Sequence, residues 1–299
     1  NLDKESIIIL LIFIFFLFFF KNIFILIYTK FSSAFMMHLS LDIQRNTFDK
    51  YLYRKYEDLR NVDSNEILRD INIESRLIVA QFISPLLTMI LNILIISLIT
   101  FLLFLYDYKT TLIISVFLII LFILFKISLS KKLQNLGLDR QVYAKEILKS
   151  IKQTFDGYRE LSTYDYLDLF QNIFVRKSIK LANNGMRRSI LITIPKLILE
   201  TLVILLIVTA ISLMYFKGYA LNEIILIISV YTVAGLRIFP VFVAITNAYQ
   251  NLNYSSAAVN RINEIYEKQN SKTKNGVNNL TFKEKISLEN VSYFYGKKQ

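Results

Sequence analysis

The sequence predicts an all-α membrane protein. Hydrophobic residues make up 54% of the chain, mean hydropathy is +0.45, and only 7 Gly and 3 Pro occur in 299 residues. This composition is too apolar and too rarely interrupted for an ordinary soluble domain. A helix needs about 20 apolar residues to cross a bilayer core of about 30 Å, and five segments reach roughly that length. We predict five membrane spans, at about residues 7–28, 77–106, 111–129, 190–216 and 221–248.

The last four spans form two helical hairpins, because a short polar turn joins the members of each pair. Between the spans lie two long segments, residues 30–76 and 130–188, which are rich in charge and have helical spacing. They are too long for simple loops. We call them the first and the second polar extension, and we expect helices that continue the spans beyond the membrane.

Charge predicts the orientation of the chain. The formal net charge is +12, and Lys and Arg are dense in the two polar extensions, whereas the short turns hold only Lys109 and Lys217. Because positive flanks mark the cytoplasmic side, we expect both extensions and the C-terminus to be cytoplasmic. An odd number of spans that begins outside then implies a further helix before residue 1. The basic residues alternate with acidic ones and flank spans, so no nucleic-acid partner is expected.

The residue inventory excludes several kinds of site. The chain has no Cys, hence no disulfide, no thiolate nucleophile and no Cys-based metal site. His38 is the only histidine, and one imidazole without such partners predicts no transition-metal site. We interpret His38 as an ordinary helix-surface residue.

The C-terminal part changes character. Residues 249–270 continue the last span as a polar helix and complete a membrane domain over residues 1–270, and residues 271–285 are typical of a linker. Residues 286–299 alternate between apolar and polar, which is the period of a half-buried strand. They predict the start of a soluble domain, which the sequence cuts short.

This order of elements resembles the type of ATP-binding cassette exporter that carries its membrane domain and its ATPase domain in one chain. The terminal ISLENVSYFYGKK looks like the opening strand of a cassette ATPase domain, where an aromatic near the strand end stacks on adenine. By resemblance this cofactor-binding residue is Tyr295. A Tyr packed in the core of an unrelated strand is the alternative.

Two further matches lie in the spans and resemble exporters of lipid-linked oligosaccharides and polysaccharides. GLRIFPVFVAITNAYQNL is similar to their R-x-x-P stretch through Arg237 and Pro240. IPKLILE is similar to their Pro-basic-x-x-x-Glu opening of the fifth helix through Pro195, Lys196 and Glu200.

The resemblance implies a flippase that moves a lipid-linked saccharide by alternating access, as a homodimer among membrane lipids of the bacterial inner membrane. ATP and Mg would be cofactors of the full-length protein. Within these 299 residues there is no G-x-x-x-x-G-K-[ST] and no LSGGQ-like signature, so the fragment alone is expected to bind neither and to hydrolyse no ATP. The alternatives are an exporter of peptide, lipid or drug, and a membrane-anchored scaffold without transport activity. A secondary transporter would predict an inverted repeat, which is not evident.

In the family each polar extension carries a short coupling helix that docks on an ATPase domain. In the first extension, capping residues precede a Glu in the segment NVDSNEILRD. In the second, a Ser-Thr pair precedes an aromatic run in ELSTYDYLDLF. Each pattern favours a helix restart over an uninterrupted solvated helix. By position, the coupling residues are Ser64, Asn65 and Glu66 in the first extension and Thr163, Tyr164 and Asp165 in the second.

Two charges inside the last hairpin are candidate substrate-cavity residues. Glu200 and Arg237 are each about sixteen residues from the intervening turn, which places them at the same depth of roughly 24 Å. Charges in apolar spans are usually paired or face water, so one hypothesis is a Glu200–Arg237 ion pair facing an anionic substrate group. The other is a Lys196–Glu200 pair, with Arg237 reaching the interface. Pro240 should bend the last span near Arg237, as a hinge or as local packing.

Overall fold

A computed structural model describes residues 4–60, 62–216, 218, 221–267, 285, 287 and 289–292. Within these ranges the chain forms helices joined by short connections and contains no strand. Five of the helical stretches are long and apolar enough to cross a membrane, the number that the sequence predicts. The all-α prediction is therefore confirmed for the described part of the chain, and the length and composition of these five stretches are compatible with a multi-pass membrane protein.

Within the described ranges, nine α-helices follow one another. Their bounds are α1 Lys4–Leu52, α2 Tyr56–Arg60, α3 Ser64–Arg69, α4 Ser75–Ile78, α5 Ser84–Tyr106, α6 Tyr108–Asp156, α7 Tyr158–Thr163, α8 Leu167–Phe216 and α9 Leu221–Glu267 among the described residues. Two π-helical segments, Asp70–Glu74 and Val79–Ile83, connect α3 to α4 and α4 to α5.

The long helices exceed the thickness of a membrane. Helix α6 has 49 residues and α8 has 50, so each is about 75 Å long at 1.5 Å per residue. Only about 20 residues are needed to cross the hydrocarbon core. The remainder of each helix is the polar extension that the sequence predicts.

The turn between α5 and α6 shows how short connections end these helices. Asp107 has an extended backbone, with φ −148° and ψ 102°. Its carboxylate accepts hydrogen bonds from the backbone N–H groups of Lys109 at 3.1 Å and Thr110 at 3.5 Å. This N-cap satisfies two donors that the first turn of α6 cannot pair internally, and it fixes a tight hairpin.

Helices α5, α6, α8 and α9 pack against one another and bury a core in their apolar parts around Leu121, Leu199 and Phe242. Helix α1 differs, because its side chains are exposed from residue 12 to residue 31, as at Phe13 and Phe24. In a bilayer such side chains meet lipid tails, which solvate them as well as a protein core does. Four helices thus share an apolar core, and the side chains of α1 from residue 12 to residue 31 lie outside it.

Helices α6 and α9 are in close contact at Gly137. A Cβ built on Gly137 would lie 2.2 Å from the backbone oxygen of Tyr254, which leaves no room for any side chain. Leu133, one turn earlier, is completely buried. This contact fixes the polar part of α9 against the second polar extension.

The predicted C-terminal domain lies largely outside the described residues. Of the linker 271–285 only residue 285 is described, and of the strand 286–299 only 287 and 289–292, none of which is in a helix or a strand. Tyr295 lies outside the described residues. The predicted strand and its adenine contact stay predictions.

Candidate functional site

Both predicted helix restarts are present in the structure. In the first polar extension, α3 begins at Ser64, and in the second, α7 ends at Thr163 before α8 begins at Leu167. Neither extension is therefore one uninterrupted helix.

The first restart is built around Asp63, the N-cap of α3. Its carboxylate accepts from the backbone N–H of Asn65 at 3.0 Å and from the side-chain amide of Asn65 at 2.9 Å. The backbone hydrogen bond is the main reason that the pKa of Asp63 is lowered. Ser64 is exposed and accepts a hydrogen bond from the Lys152 ammonium at 2.9 Å, whereas Asn65 is buried and Glu66 is partly buried. Of the three predicted coupling residues here, Asn65 is thus turned away from solvent, and Glu66 pairs with Lys145 of α6 and Arg261 of α9.

The second restart is open to solvent. Thr163, Tyr164 and Asp165 are all exposed. The backbone N–H of Tyr164 bonds the carbonyl of Glu160 at 3.0 Å, and Asp165 has φ 60°, in the left-handed region that Asp tolerates better than most residues. The three residues form a tight turn whose side chains are accessible to a partner.

Around the first restart the structure brings together a group of buried and partly buried charged side chains that we call the charge cluster. Four carboxylates face four cations and one tyrosine. The cluster comprises Asp63, Glu66, Asp70, Glu74, Arg69, Arg140, Lys145, Arg261 and Tyr51.

Asp70 is at the centre of the charge cluster and is completely buried. Its Oδ1 accepts from Arg69 Nε at 3.0 Å and Nη2 at 2.7 Å, and its Oδ2 accepts from the Tyr51 hydroxyl at 2.7 Å and from Arg261 Nε at 2.8 Å. One carboxylate therefore joins the polar end of α1, the first restart and the polar end of α9.

Glu74 is the second completely buried carboxylate, and it lies at the other end of the same π-helical segment. Its Oε2 accepts from Arg140 Nη2 at 2.6 Å and from the Gln141 amide at 3.0 Å, and its Oε1 is 3.8 Å from Arg69 Nε. Glu74 thereby attaches the π-helical segment to α6. Such single-turn π segments occur frequently at functional sites.

The more exposed rim of the cluster is formed by Glu66, which lies between Lys145 of α6 and Arg261 of α9. Lys145 donates a short hydrogen bond to Glu66, and Arg261 Nη2 is 3.2 Å from its Oε2. Burial raises the pKa of Glu66, but the hydrogen bond and charge of Lys145, together with the charges of Arg261 and Arg69, lower it below its ordinary value.

The groups of the charge cluster hold the helices that they connect in fixed relative positions. Burial, with the charge of Asp70 next, raises the pKa of Tyr51, so its hydroxyl stays protonated and donates to Asp70. Among the described residues, no group of three His, Cys, Asp or Glu side chains could hold a metal ion. Removing one partner of such a buried pair is strongly destabilising, because it leaves the other charge uncompensated. The cluster thus makes the positions of α1, α3, α6 and α9 depend on one another.

The predicted ion pair between Glu200 and Arg237 is absent from the described structure, and so is the alternative Lys196–Glu200 pair. Glu200 and Arg237 are exposed. The reason is helical phase: Leu199 faces the core, so Glu200, about 100° further round α8, does not.

On α9 the inward residues are Phe239 and Phe242, and Arg237 is about 200° from Phe239. Depth alone was therefore an incomplete criterion for the pair. Helix α9 continues through Pro240, which is exposed, and α8 continues through the buried Pro195.

Sequence reasoning missed Asp70, Glu74 and Arg261 as functional candidates. The available signal was the segment DINIE, in which two carboxylates four residues apart share a helix face and flank two isoleucines, both of which are partly buried in the structure. The partner Arg261 is 191 positions from Asp70, and helical periodicity carries no information over that separation.

No protein-family model matches the sequence.

Proposed function

We propose that this protein is the membrane-spanning part of an ATP-driven exporter or flippase that moves a lipid-linked oligosaccharide or polysaccharide across the bacterial inner membrane by alternating access. The observation that carries the proposal is the long helical extension of the spans. Helices α6 and α8 run far beyond a membrane thickness and meet at a short helix and an exposed turn.

Long rigid helices suit a transporter whose ATPase domain lies outside the membrane. A force applied at the turn of Thr163, Tyr164 and Asp165 would reach the spans along α6 and α8, because a helix is stiff over this distance. The charge cluster supports the same interpretation, since it links the first restart to α6 and α9 through buried ion pairs. In this proposal ATP and Mg bind to an ATPase domain that begins near residue 286, where Tyr295 stacks on adenine.

The substrate class and the assembly rest on the resemblance of the spans to lipid-linked saccharide exporters. Arg237 and Glu200 are then exposed charges at one depth, available to a translocation cavity that a second copy of the chain would complete. Pro240 lies between Arg237 and the buried Phe242, where it interrupts the hydrogen bonding of α9. An exporter of peptide, lipid or drug would use the same architecture.

The test is transport by the complete gene product reconstituted in vesicles of bacterial lipid. ATP-dependent movement of a fluorescent lipid-linked oligosaccharide is expected, with Tyr164→Ala and Asp165→Ala lowering it at least tenfold. Asp139→Asn, at an exposed site on α6 away from the turn, serves as the matched control. Movement of a peptide or drug instead would reassign the substrate, and a gene product without ATP hydrolysis or transport would establish a membrane scaffold.

A further inference from the structure

Between the first polar extension and α5 the chain passes through α4 and the second π-helical segment, Val79–Ile83. We call this π-helical segment the junction. At its end the backbone N–H of Ser84 bonds the carbonyl of Val79, five residues earlier, where an α-helix would use the carbonyl four residues earlier. The hydrogen-bonded turn here thus contains one extra residue. Sharp bends in helices occur at such insertions and at proline.

Pro85, in the first turn of α5, explains why α-helical bonding is interrupted at the junction. In an α-helix the carbonyl of Gln81 would accept from the backbone N–H of residue 85, but proline has no N–H and its ring collides with that carbonyl. The ordinary donor to this carbonyl is therefore absent. The structure supplies a donor from another helix, because the hydroxyl of Ser255 on α9 bonds the Gln81 carbonyl oxygen at 2.8 Å.

The Ser255 hydroxyl has a second acceptor at nearly the same distance. The carbonyl oxygen of Asn251, one turn earlier in α9, is 2.7 Å from it. A hydroxyl has one proton, so it donates fully to only one of these two carbonyls at a time. If α5 moves away from α9, the hydroxyl turns to Asn251, which stays in place because both residues belong to α9. The movement therefore leaves no unpaired hydroxyl behind, although Ser255 is only 2% exposed.

The side chain of Gln81 also lowers the cost of opening the junction. Its carbonyl oxygen is buried and has no hydrogen-bond partner among the described residues. A buried polar atom without a partner is unfavourable, and water that enters an opened junction can pair with it. Opening thus hydrates this atom and the backbone carbonyl that Ser255 releases.

The parts of the chain on either side of the junction are each attached by their own contacts. On one side, Asp70 and Glu74 of the charge cluster are completely buried and pair with Arg261 of α9 and Arg140 of α6. On the other side, α5 packs through Ile96 on the apolar core. A change in the angle between these two parts has to be taken up by the few residues that connect them, as is usual for hinges.

We propose that the junction is a hinge between the first polar extension and α5, and that the hydrogen bond from Ser255 to the Gln81 carbonyl keeps this hinge closed. When the hinge opens, the Ser255 hydroxyl turns to Asn251, water pairs with Gln81, and the charge cluster stays intact. The inference rests on the contact between the junction and α9, and it does not depend on transport.

Hydrogen–deuterium exchange of the purified full chain in lipid nanodiscs, measured by mass spectrometry, tests the proposal. Ser255→Ala should accelerate amide exchange in residues 79–88 about tenfold or more, because the closed hinge loses its hydrogen bond. Exchange in residues 63–74 should change less than about twofold, since the charge cluster is not part of the opening. Ser256→Ala is the matched control, because the Ser256 hydroxyl donates within α9, to the Asn253 carbonyl at 2.7 Å. It should leave both regions unchanged.

Pro85→Ala separates the hinge from a general loss of stability. It gives residue 85 an N–H group that can pair with the Gln81 carbonyl, so Ser255→Ala in this background should accelerate exchange in residues 79–88 less than about twofold. Equal acceleration in the two backgrounds would overturn the proposal. Unchanged exchange in residues 79–88 of the single Ser255→Ala variant would also overturn it, as would an equal acceleration in residues 63–74, which would show that the whole bundle loosens.

Discussion

Replacing Asp70 by Asn should destabilise the protein out of proportion to the size of the change. The wild-type carboxylate accepts four hydrogen bonds, from Tyr51, from two nitrogens of Arg69 and from Arg261. An amide of the same shape has one acceptor oxygen and turns an N–H group toward the remaining donors. Because Asp70 is fully buried and Arg69 is only 7% exposed, the uncompensated guanidinium charges cannot be hydrated. We expect a loss of about 3–5 kcal/mol.

The measurement is thermal unfolding in detergent micelles, followed by far-UV circular dichroism. A loss of that size corresponds to a fall in the melting temperature of roughly 6–20 °C. Glu264→Gln is the matched control, because Glu264 also pairs with Arg261, at 3.6 Å, but is 63% exposed, and an exposed pair contributes less than about 1 kcal/mol. If Asp70→Asn melted no lower than Glu264→Gln, the charge cluster would not contribute to the free energy of unfolding in the way argued here.

Three further predictions concern other parts of the chain. Gly137→Ala should destabilise the protein by about 1–3 kcal/mol, because its Cβ would lie 2.2 Å from a backbone oxygen of α9. Gly185→Ala is the control: a Cβ there has no atom within 4 Å, so it should stabilise by up to about 1 kcal/mol in the same melting assay. Since the pKa of Glu66 is lowered by folding, its contribution is complete above the unfolded value of 4.5 and is lost as the pH falls through the folded one. Stability measured from pH 7 to pH 3 should therefore fall less steeply in Glu66→Gln than in the wild type, and parallel curves would contradict the assignment. Because the chain has no Cys, single cysteines report topology without background: an impermeant maleimide should label Lys109→Cys in intact cells and Tyr164→Cys only after permeabilisation, and the reverse pattern would invert the proposed orientation.

The long helices and their restarts could be predicted from local sequence. Apolar runs of sufficient length have few alternatives to a membrane helix, and the capping residue Asp63 marks the start of α3 as the sequence indicates. The Ser-Thr pair of the second extension lies where α7 ends, with Thr163 as its last residue. These features depend on neighbours within a few positions of the chain.

The charge cluster could not be predicted in the same way. Arg261 meets Asp70, and Arg140 meets Glu74, across 191 and 66 positions of sequence. Such pairs depend on how α6 and α9 are rotated about their axes. Apolar residues occur on all sides of these helices, so the sequence pattern does not specify that rotation. The same lack of phase information explains the absent pair between Glu200 and Arg237, because equal depth in two helices leaves the direction of each side chain open.

The distribution of polar and apolar contacts has a mechanical consequence. At the polar end, Tyr51 of α1 packs on Ile78 and Ile262 and donates to Asp70, so α1 is held there by both a core and a hydrogen bond. In the apolar part α1 has no buried side chains among those described, whereas α5, α6, α8 and α9 share a core. If α1 moves, its exposed part exchanges one lipid contact for another of equal energy. The four hydrogen bonds that Asp70 accepts have no such substitute. We therefore expect movement of α1 relative to the other four spans to pivot at the charge cluster, with displacement increasing toward the far side of the membrane.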